Sequence, residues 1–174
     1  MSEQGAASKL VSYAEGSTLV MERTFDAPRE LVFKAYSQKE HLENWWGPKG
    51  WQTTSVKFDF RPNGEWHYCM KCVDEKQGEF FGQLSCGKTY YQEIVEPERI
   101  TYKDVFVDAE GNEISNMPEI FASITFLEEN DKTKVIIRSQ FDSVETLQQI
   151  MDMGVVEGSA SQYERLDILL EELK

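Results

Sequence analysis

The hydrophobic pattern of the chain changes its period once, close to Ser143. Between Thr18 and Phe141, short segments alternate apolar and polar residues with the two-residue period of half-buried strands. After Ser143, apolar residues recur about every 3.6 positions, as in an amphipathic helix. Because crossover helices do not separate most of these strands, they must pair antiparallel, and the final helix must bury its apolar stripe against them. The pattern therefore predicts an α+β fold.

The order of elements refines this prediction to a curved antiparallel sheet of six to seven strands wrapped on a long C-terminal helix. Two short helices follow the first strand, which spans 18–25, and Asp26 and Ser37 are their candidate N-caps. The further strand segments are 52–60, 65–73, 79–85, 90–95, 100–107, 119–127 and 134–141. Ser143 is the candidate cap of the long helix, and glycines at 154 and 158 predict a bend in it.

The domain organisation is simple. Residues 1–17 are small and polar, and we expect them to form a flexible N-terminal arm. No linker rich in proline, glycine or serine divides residues 18–174, so this segment is expected to be a single domain.

Charge restricts the classes of partner. Lys plus Arg total 18 and Asp plus Glu total 31, which gives a formal net charge of −13. Nucleic acids and anionic membranes both require a basic surface, so the sequence predicts neither as a partner. No apolar run is long enough for membrane insertion, and residues 1–17 lack the pattern of a signal peptide. These features predict a cytoplasmic location.

The cysteines number three, and an odd count argues against a disulfide framework. We therefore expect Cys69, Cys72 and Cys86 to be reduced thiols. Cys69 and Cys72 form a C-x-x-C motif within a predicted strand, where residues three apart face opposite sides. The two thiols should diverge, so the motif predicts neither a metal site nor a redox pair, and no cofactor is predicted.

Several local motifs occur in a characteristic order. They are Trp45-Trp46-Gly47-Pro48 and the segments 22–28, 58–64, 87–102, 153–154 and 161–170. Together they make residues 18–173 resemble the family of homologues of the activator of the ninety-kilodalton heat-shock chaperone ATPase. This family belongs to the START-related, birch-pollen-allergen-like (SRPBCC) superfamily. The sequence departs from the family pattern at Glu96, which replaces a proline, and by lacking a tryptophan near Gly158.

The resemblance implies a helix-grip fold with a hydrophobic cavity between the sheet and the last helix. Apolar stripes usually pack into a solid core, so the residues alone favour a filled interior, whereas the resemblance favours a cavity. The side chains expected to line it are Trp46, Phe58, Trp66, Tyr68, Met70, Tyr102, Ile124, Met151, Val155 and Tyr163. Val56 shares the predicted inward face. Asp104 and Ser139 are further polar anchors, if Asp104 does not lie at an exposed strand end.

The tryptophan segment 45–51 and two carboxylates leave other functions open. The indoles form either a mobile lid or a structural seal, and we expect one of Trp45 and Trp46 to point inward and one outward. Glu93 is a candidate base if it points inward, although a solvated face is the simpler interpretation. Stand-alone members of this family mostly lack an assigned reaction, and no catalytic residue is assigned here.

These observations favour a non-catalytic carrier or sensor for a small hydrophobic or aromatic molecule. The alternatives are an enzyme of the same superfamily, with cyclase- or hydrolase-like acid–base chemistry in the cavity, and a chaperone-associated protein-interaction module. A homodimer is compatible with this type of family.

Overall fold

A single antiparallel sheet of eight strands dominates the computed structural model, which describes residues 10–174. The spatial order of its strands is β1-β2-β8-β7-β6-β5-β4-β3. The strands are β1 (Val11–Glu15), β2 (Thr18–Phe25), β3 (Trp51–Phe58), β4 (Glu65–Cys72), β5 (Leu84–Val95), β6 (Arg99–Val107), β7 (Ile120–Glu129) and β8 (Lys132–Gln140). Strands that follow one another in the chain mostly lie side by side, but β2 pairs with β8.

The helices lie at two points of the chain. Helices α1 (Arg29–Ser37) and α2 (Lys39–Trp45) connect β2 to β3, and helices α3 (Val144–Asp152) and α4 (Val155–Leu173) follow β8. A 3-10 helix, Glu75–Phe80, precedes β5. The buried face of α4, formed by Tyr163, Leu166, Leu169 and Leu170, belongs to the same core as the inward side chains of the sheet. The predicted α+β, helix-grip fold is confirmed.

Alternation along the strands forms the core. On β7 and β8, Ile124 lies opposite Ile137 and Phe126 lies opposite Val135, and all four are buried. Aromatic side chains from α1 and α2 cover this layer. Burial of each large apolar side chain contributes about 1.5–3 kcal/mol to folding.

An ion pair joins the sheet to α4. The Arg23 guanidinium, on the inward face of β2, donates both Nη1 (2.9 Å) and Nη2 (2.5 Å) to the carboxylate of Asp167. Arg23 also lies over the ring of Phe25, with 4.7 Å between its Cζ and the ring centroid. Arg23 is only 4% exposed, so its charge depends on these partners.

The sheet has eight strands, against the six to seven predicted. The candidate segments 79–85 and 90–95 contribute one strand, β5, and the additional strand is β1, which lies within the segment expected to be a flexible arm. Residues 1–9 of that segment lie outside the described residues. Val11–Glu15 pairs with β2, from Val11 opposite Glu22 to Glu15 opposite Thr18. All its side chains are exposed, and Val11 and Tyr13 are its two large apolar residues, too few to indicate a strand.

The prediction of a strand at 79–85 is also wrong. Its first residues belong to the 3-10 helix, and β5 begins only at Leu84. Gly82, at φ 85°, lies within this segment in the left-handed region, which a regular strand does not accommodate.

The predicted helix N-caps are confirmed in part. Asp26 and Ser37 do not cap: the N-caps of α1 and α2 are Pro28 and Gln38, and neither makes a side-chain capping bond. Ser143 does cap α3, because its side chain accepts a hydrogen bond from the backbone N–H of Thr146. The predicted bend is confirmed at Gly154, whose φ of 90° separates α3 from α4.

The expectation of three reduced cysteines is wrong. Cys69 on β4 and Cys86 on β5 lie directly opposite each other, with 4.1 Å between their Cα atoms, and form a disulfide. Cys72 is a free, buried thiol. Cys69 and Cys72 diverge as predicted. Because disulfides are typical of oxidising environments, the expected cytoplasmic location loses the support of reduced thiols.

Thiol counting tests this pairing. Alkylation of the unfolded protein without reductant should modify one cysteine, Cys72, and prior reduction should raise the number to three. Mass spectrometry of the alkylated chain gives the count. Three modified cysteines without reductant, in protein purified without reductant, would contradict the disulfide.

Candidate ligand-binding site

A cavity of about 370 Å³ lies between the sheet and the C-terminal helices. Its sheet wall comprises Tyr68 and Met70 of β4, Tyr102, Asp104 and Phe106 of β6, Ile120 and Ala122 of β7, Ile137 and Ser139 of β8, and Met21 of β2. Its opposite wall comprises Trp46, Gly47, Pro48, Ile150, Met153, Gly154, Val155, Gly158, Ser159, Gln162 and Tyr163. Most of these side chains are apolar, and the site is therefore suited to a ligand with a large apolar surface.

The ten residues predicted to line the cavity occupy three different places in the structure. The structure brings six of them to this cavity: Trp46, Tyr68, Met70, Tyr102, Val155 and Tyr163. Trp66 and Ile124 instead line a separate space of about 20 Å³, together with Trp46 and Tyr102. Phe58 and Met151 pack against the core without lining either space.

Local geometry explains the two residues that lie elsewhere. The ring of Phe58 packs against Trp66 and Phe60, towards the end of the sheet occupied by α1. On α3, Ile150 faces the cavity instead of Met151, and Met153, the C-cap residue of α3, lines the cavity at the bend before α4.

The inward position expected for Val56 is wrong. The pairing of β3 with β4 shifts between Ser55 and Lys57, which makes Val56 the extra residue of a β-bulge. Its side chain is 62% exposed.

Sequence reasoning missed residues on both walls. Ile120, Ala122 and Ile124 lie two residues apart along β7 and therefore share one face of the sheet. Strand periodicity could have identified Ile120 and Ala122 from the position of Ile124. Gly158, Ser159 and Gln162 follow Val155 at helical spacing, but small and polar residues give no apolar signal. A Cβ at Gly158 would meet no atom within 4 Å, so this glycine leaves open space at the cavity wall.

Asp104 is the one carboxylate in the wall among the described residues. It lies inward on β6, which decides between the two positions left open by the sequence. Its Oδ1 accepts a hydrogen bond from the Thr89 hydroxyl. Burial raises the pKa of Asp104 to about 7, and the bond from Thr89, which favours the ionised form, offsets part of this effect.

The phenols around Asp104 remain protonated near neutral pH. Burial raises the pKa of Tyr68, Tyr91 and Tyr102, and the nearby Asp104 carboxylate raises each further. The Tyr68 ring lies against Gly87, where an added Cβ would come within 2.7 Å of the phenol oxygen. A glycine at 87 is therefore what allows Tyr68 to lie beside the cavity floor.

The volume of the cavity has an energetic consequence. At about 24 cal/mol per Å³, a dry void of about 370 Å³ would cost about 9 kcal/mol. That cost is comparable to the whole stability of an ordinary domain. The space must therefore hold a ligand or water, and Asp104, Ser139 and Gln162 provide the polar groups that ordered water requires.

Arg165 of α4 fixes the tryptophan segment over the cavity. Its guanidinium donates hydrogen bonds to the backbone carbonyls of Asn44, Trp46, Gly47, Pro48 and Trp51, at 2.7–3.3 Å. Gln162 Oε1 accepts from the Gly47 N–H at 2.7 Å, and Ser161 Oγ accepts from the Lys49 N–H at 2.8 Å. These contacts favour the structural role over the mobile lid.

Both indoles turn towards the interior. Trp45 is fully buried and its Nε1 donates to the Ala35 carbonyl, whereas the half-buried Trp46 packs on Trp66 and Tyr68 at the cavity wall. The expectation that one of them points outward is therefore wrong. The cavity instead reaches the surface beside Met153, which lines it and is 65% exposed.

The other candidate groups lie away from the cavity. Glu93 is exposed and pairs with Arg99, as the solvated interpretation expected. His67 is buried beside Lys88, and desolvation lowers its pKa. In residues 10–174, no three His, Cys, Asp or Glu side chains are grouped as metal ligands would be. No helix in the same range is long and apolar enough to cross a membrane.

An eight-stranded antiparallel sheet that holds a C-terminal helix over a largely apolar cavity defines a helix-grip protein. Residues 26–171 match the family described as activator of Hsp90 ATPase homolog 1-like protein, and the chain belongs to this family. The SRPBCC-type fold of this family is one associated with ligand binding. Among curated proteins, none matches the sequence significantly.

Solved structures agree with this assignment. A protein from Mycobacterium smegmatis is 30% identical with a TM-score of 0.81, and the match covers 93% of this chain and 95% of that one. A protein from Staphylococcus epidermidis is 27% identical (TM-score 0.80; 94% and 95% covered), and one from Arthrobacter aurescens is 25% identical (TM-score 0.83; 95% and 92% covered). The similarity thus extends over nearly the whole length of each protein.

Proposed function

We propose that the protein binds a small hydrophobic or aromatic molecule in the cavity between the sheet and α4, and acts as a carrier or sensor. The observation that supports this proposal is the cavity of about 370 Å³ with mostly apolar walls. Its volume lies in the range of small-molecule sites, and a few polar groups in its wall would orient the ligand. A cytoplasmic location and a homodimer stay predictions.

The fixed tryptophan segment supports binding at a preformed site. Because Arg165 holds five backbone carbonyls around Trp46, this wall requires no folding when a ligand enters. A preformed wall reduces the conformational entropy that binding would otherwise cost. Entry would occur beside Met153, where the α3–α4 junction leaves the cavity open.

Replacing Gly158 with phenylalanine tests the proposal. The added ring should occupy the open space at the cavity wall, and helix α4 should tolerate it because phenylalanine has a higher helix propensity than glycine. We expect the wild-type protein to bind decan-1-ol at one site. Gly158→Phe should weaken this binding at least about tenfold, which corresponds to about 1.4 kcal/mol. Isothermal titration calorimetry measures both.

Glu157→Phe is the matched control. It adds the same ring to the same turn of α4, at an exposed position that does not line the cavity. It should bind decan-1-ol as the wild type does. Equal binding by all three proteins would place the ligand elsewhere, and a wild type without saturable binding would refute the proposal.

Acid–base catalysis in the same cavity is a second candidate function, and one observation favours it. A half-buried carboxyl whose pKa is raised to about 7 can both accept and donate a proton near neutral pH, and Asp104 is such a group. Tyr68 and Tyr102 would then stabilise developing negative charge. An enzyme should lose turnover but keep ligand binding in Asp104→Asn. A carrier should consume no ligand, whether residue 104 is aspartate or asparagine.

A further inference from the structure

The charges in the cavity wall distinguish between ligand classes. Among the described residues that line the cavity, there is no lysine, arginine or histidine, and Asp104 is the only carboxylate. A ligand with a carboxylate or phosphate head needs a cationic or strongly donating partner, which this wall does not provide. The negative charge of such a head group would also be repelled by the ionised Asp104 carboxylate. An anionic lipid or fatty acid is therefore a poor match.

Asp104 has hydrogen-bonding capacity to spare. Within the described part of the chain, its side chain accepts one hydrogen bond, from the Thr89 hydroxyl to Oδ1. A carboxylate has about four acceptor positions, so Oδ2 remains free to accept a donor from a ligand. The group that best matches this half-buried carboxylate is a cationic donor, because the pair neutralises its charge.

Aromatic rings complete the environment of a cation. Trp46, Tyr68, Tyr102 and Tyr163 line the same space as Asp104, and an ammonium within about 6 Å of such rings gains cation–π attraction. The net charge of −13 also attracts cations to the protein and repels anions from it.

We infer that the ligand of this cavity is an amphipathic amine, whose protonated nitrogen binds Asp104 among the aromatic rings and whose apolar part fills the remaining space. This inference rests on the proposed function and specifies its ligand class. The amine nitrogen donates a hydrogen bond to Oδ2 of Asp104. The apolar part of the ligand extends along Ile120, Ala122 and Ile137 towards the opening beside Met153.

Three probes that differ only in their head group test the inference. Decylamine, decan-1-ol and decanoic acid share one alkyl chain, so their apolar contacts are equal. At pH 8, calorimetry should show that decylamine binds at least about tenfold more tightly than decan-1-ol, and that decanoic acid binds at least about tenfold more weakly. Decylamine binding no tighter than decan-1-ol would overturn the inference but leave the proposed function intact. Binding of none of the three would overturn both.

Asp104→Asn identifies the responsible residue. Asparagine keeps the shape and an acceptor for Thr89 but removes the charge, so decylamine and decan-1-ol should bind this variant about equally. Asp142→Asn, at an exposed position outside the cavity, is the control for the same change in net charge and should keep the preference. A preference that persists in Asp104→Asn would overturn the assignment of the amine to Asp104.

The pH dependence provides a second readout. The titratable groups that face Asp104 are Tyr68, Tyr91 and Tyr102, and burial keeps all three phenols neutral. Of these four groups in the described part of the chain, the carboxyl of Asp104 is therefore the one that changes charge near neutral pH. The preference for decylamine over decan-1-ol should fall as the pH is lowered from 8 to 5.5, and a preference independent of pH in this range would contradict the ion pair.

Discussion

Asp167→Ala should destabilise the protein by about 2–3 kcal/mol, because it leaves the Arg23 guanidinium buried without its partner. Arg23 is 4% exposed, whereas the side chain of Asp167 is 37% exposed. Water can therefore reach part of the vacated site, and we expect less than the loss for a fully buried pair. In a domain of this size the melting temperature should fall by about 5–10 °C. Urea unfolding at pH 7 gives the free-energy difference.

Two further variants separate the ion pair from its surroundings. Glu164→Ala makes a similar truncation at an exposed position of α4 and should change stability by less than about 0.5 kcal/mol. Arg23→Met combined with Asp167→Ala removes both charges and should recover much of the lost stability. If Asp167→Ala is no less stable than Glu164→Ala, the pair does not hold α4 on the sheet.

Wild-type stability should fall relative to Asp104→Asn as the pH rises from 5.5 to 8. The folded-state pKa of Asp104 is about 7, against an ordinary value of 3.8. Between these values the folded state binds more protons than the unfolded state, so stability decreases as the pH rises. From pH 5.5 to the folded pKa this amounts to about 2 kcal/mol.

Urea unfolding of both proteins at pH 5.5 and pH 8 measures this difference directly. Other carboxylates titrate alike in the two proteins, so subtracting one profile from the other isolates Asp104. Parallel profiles would mean that Asp104 ionises at its ordinary pKa and is hydrated. An amine ligand should reduce the loss of stability at pH 8, because it neutralises the ionised Asp104 carboxylate.

Periodicity in the sequence predicted the features that depend on one element at a time. Alternation on β6 placed Tyr102 and Asp104 on one face, and that face lines the cavity. Ser143 and Gly154 marked the start of α3 and the bend before α4, because capping and positive φ are local properties.

The features that the sequence did not reveal depend on pairing between distant segments. The Cys69–Cys86 disulfide requires the β4–β5 register, and the bulge at Val56 appears only when β3 pairs with β4. Arg165 contacts backbone carbonyls, which every residue has, so the identities of residues 44–51 do not indicate these contacts. Small residues such as Gly158 and Ala122 line the cavity on its helix and sheet walls, and small residues give no apolar signal in the sequence.

Native mass spectrometry of freshly purified protein, followed by organic extraction, tests ligand binding in the cavity most directly. The wild type and Glu157→Phe should each carry a stoichiometric small-molecule adduct, and Gly158→Phe should be free of it. Extraction should yield a neutral or basic amphipathic compound. A wild type with an unliganded mass, and with no thermal stabilisation by decylamine or decan-1-ol, would contradict ligand binding in this cavity.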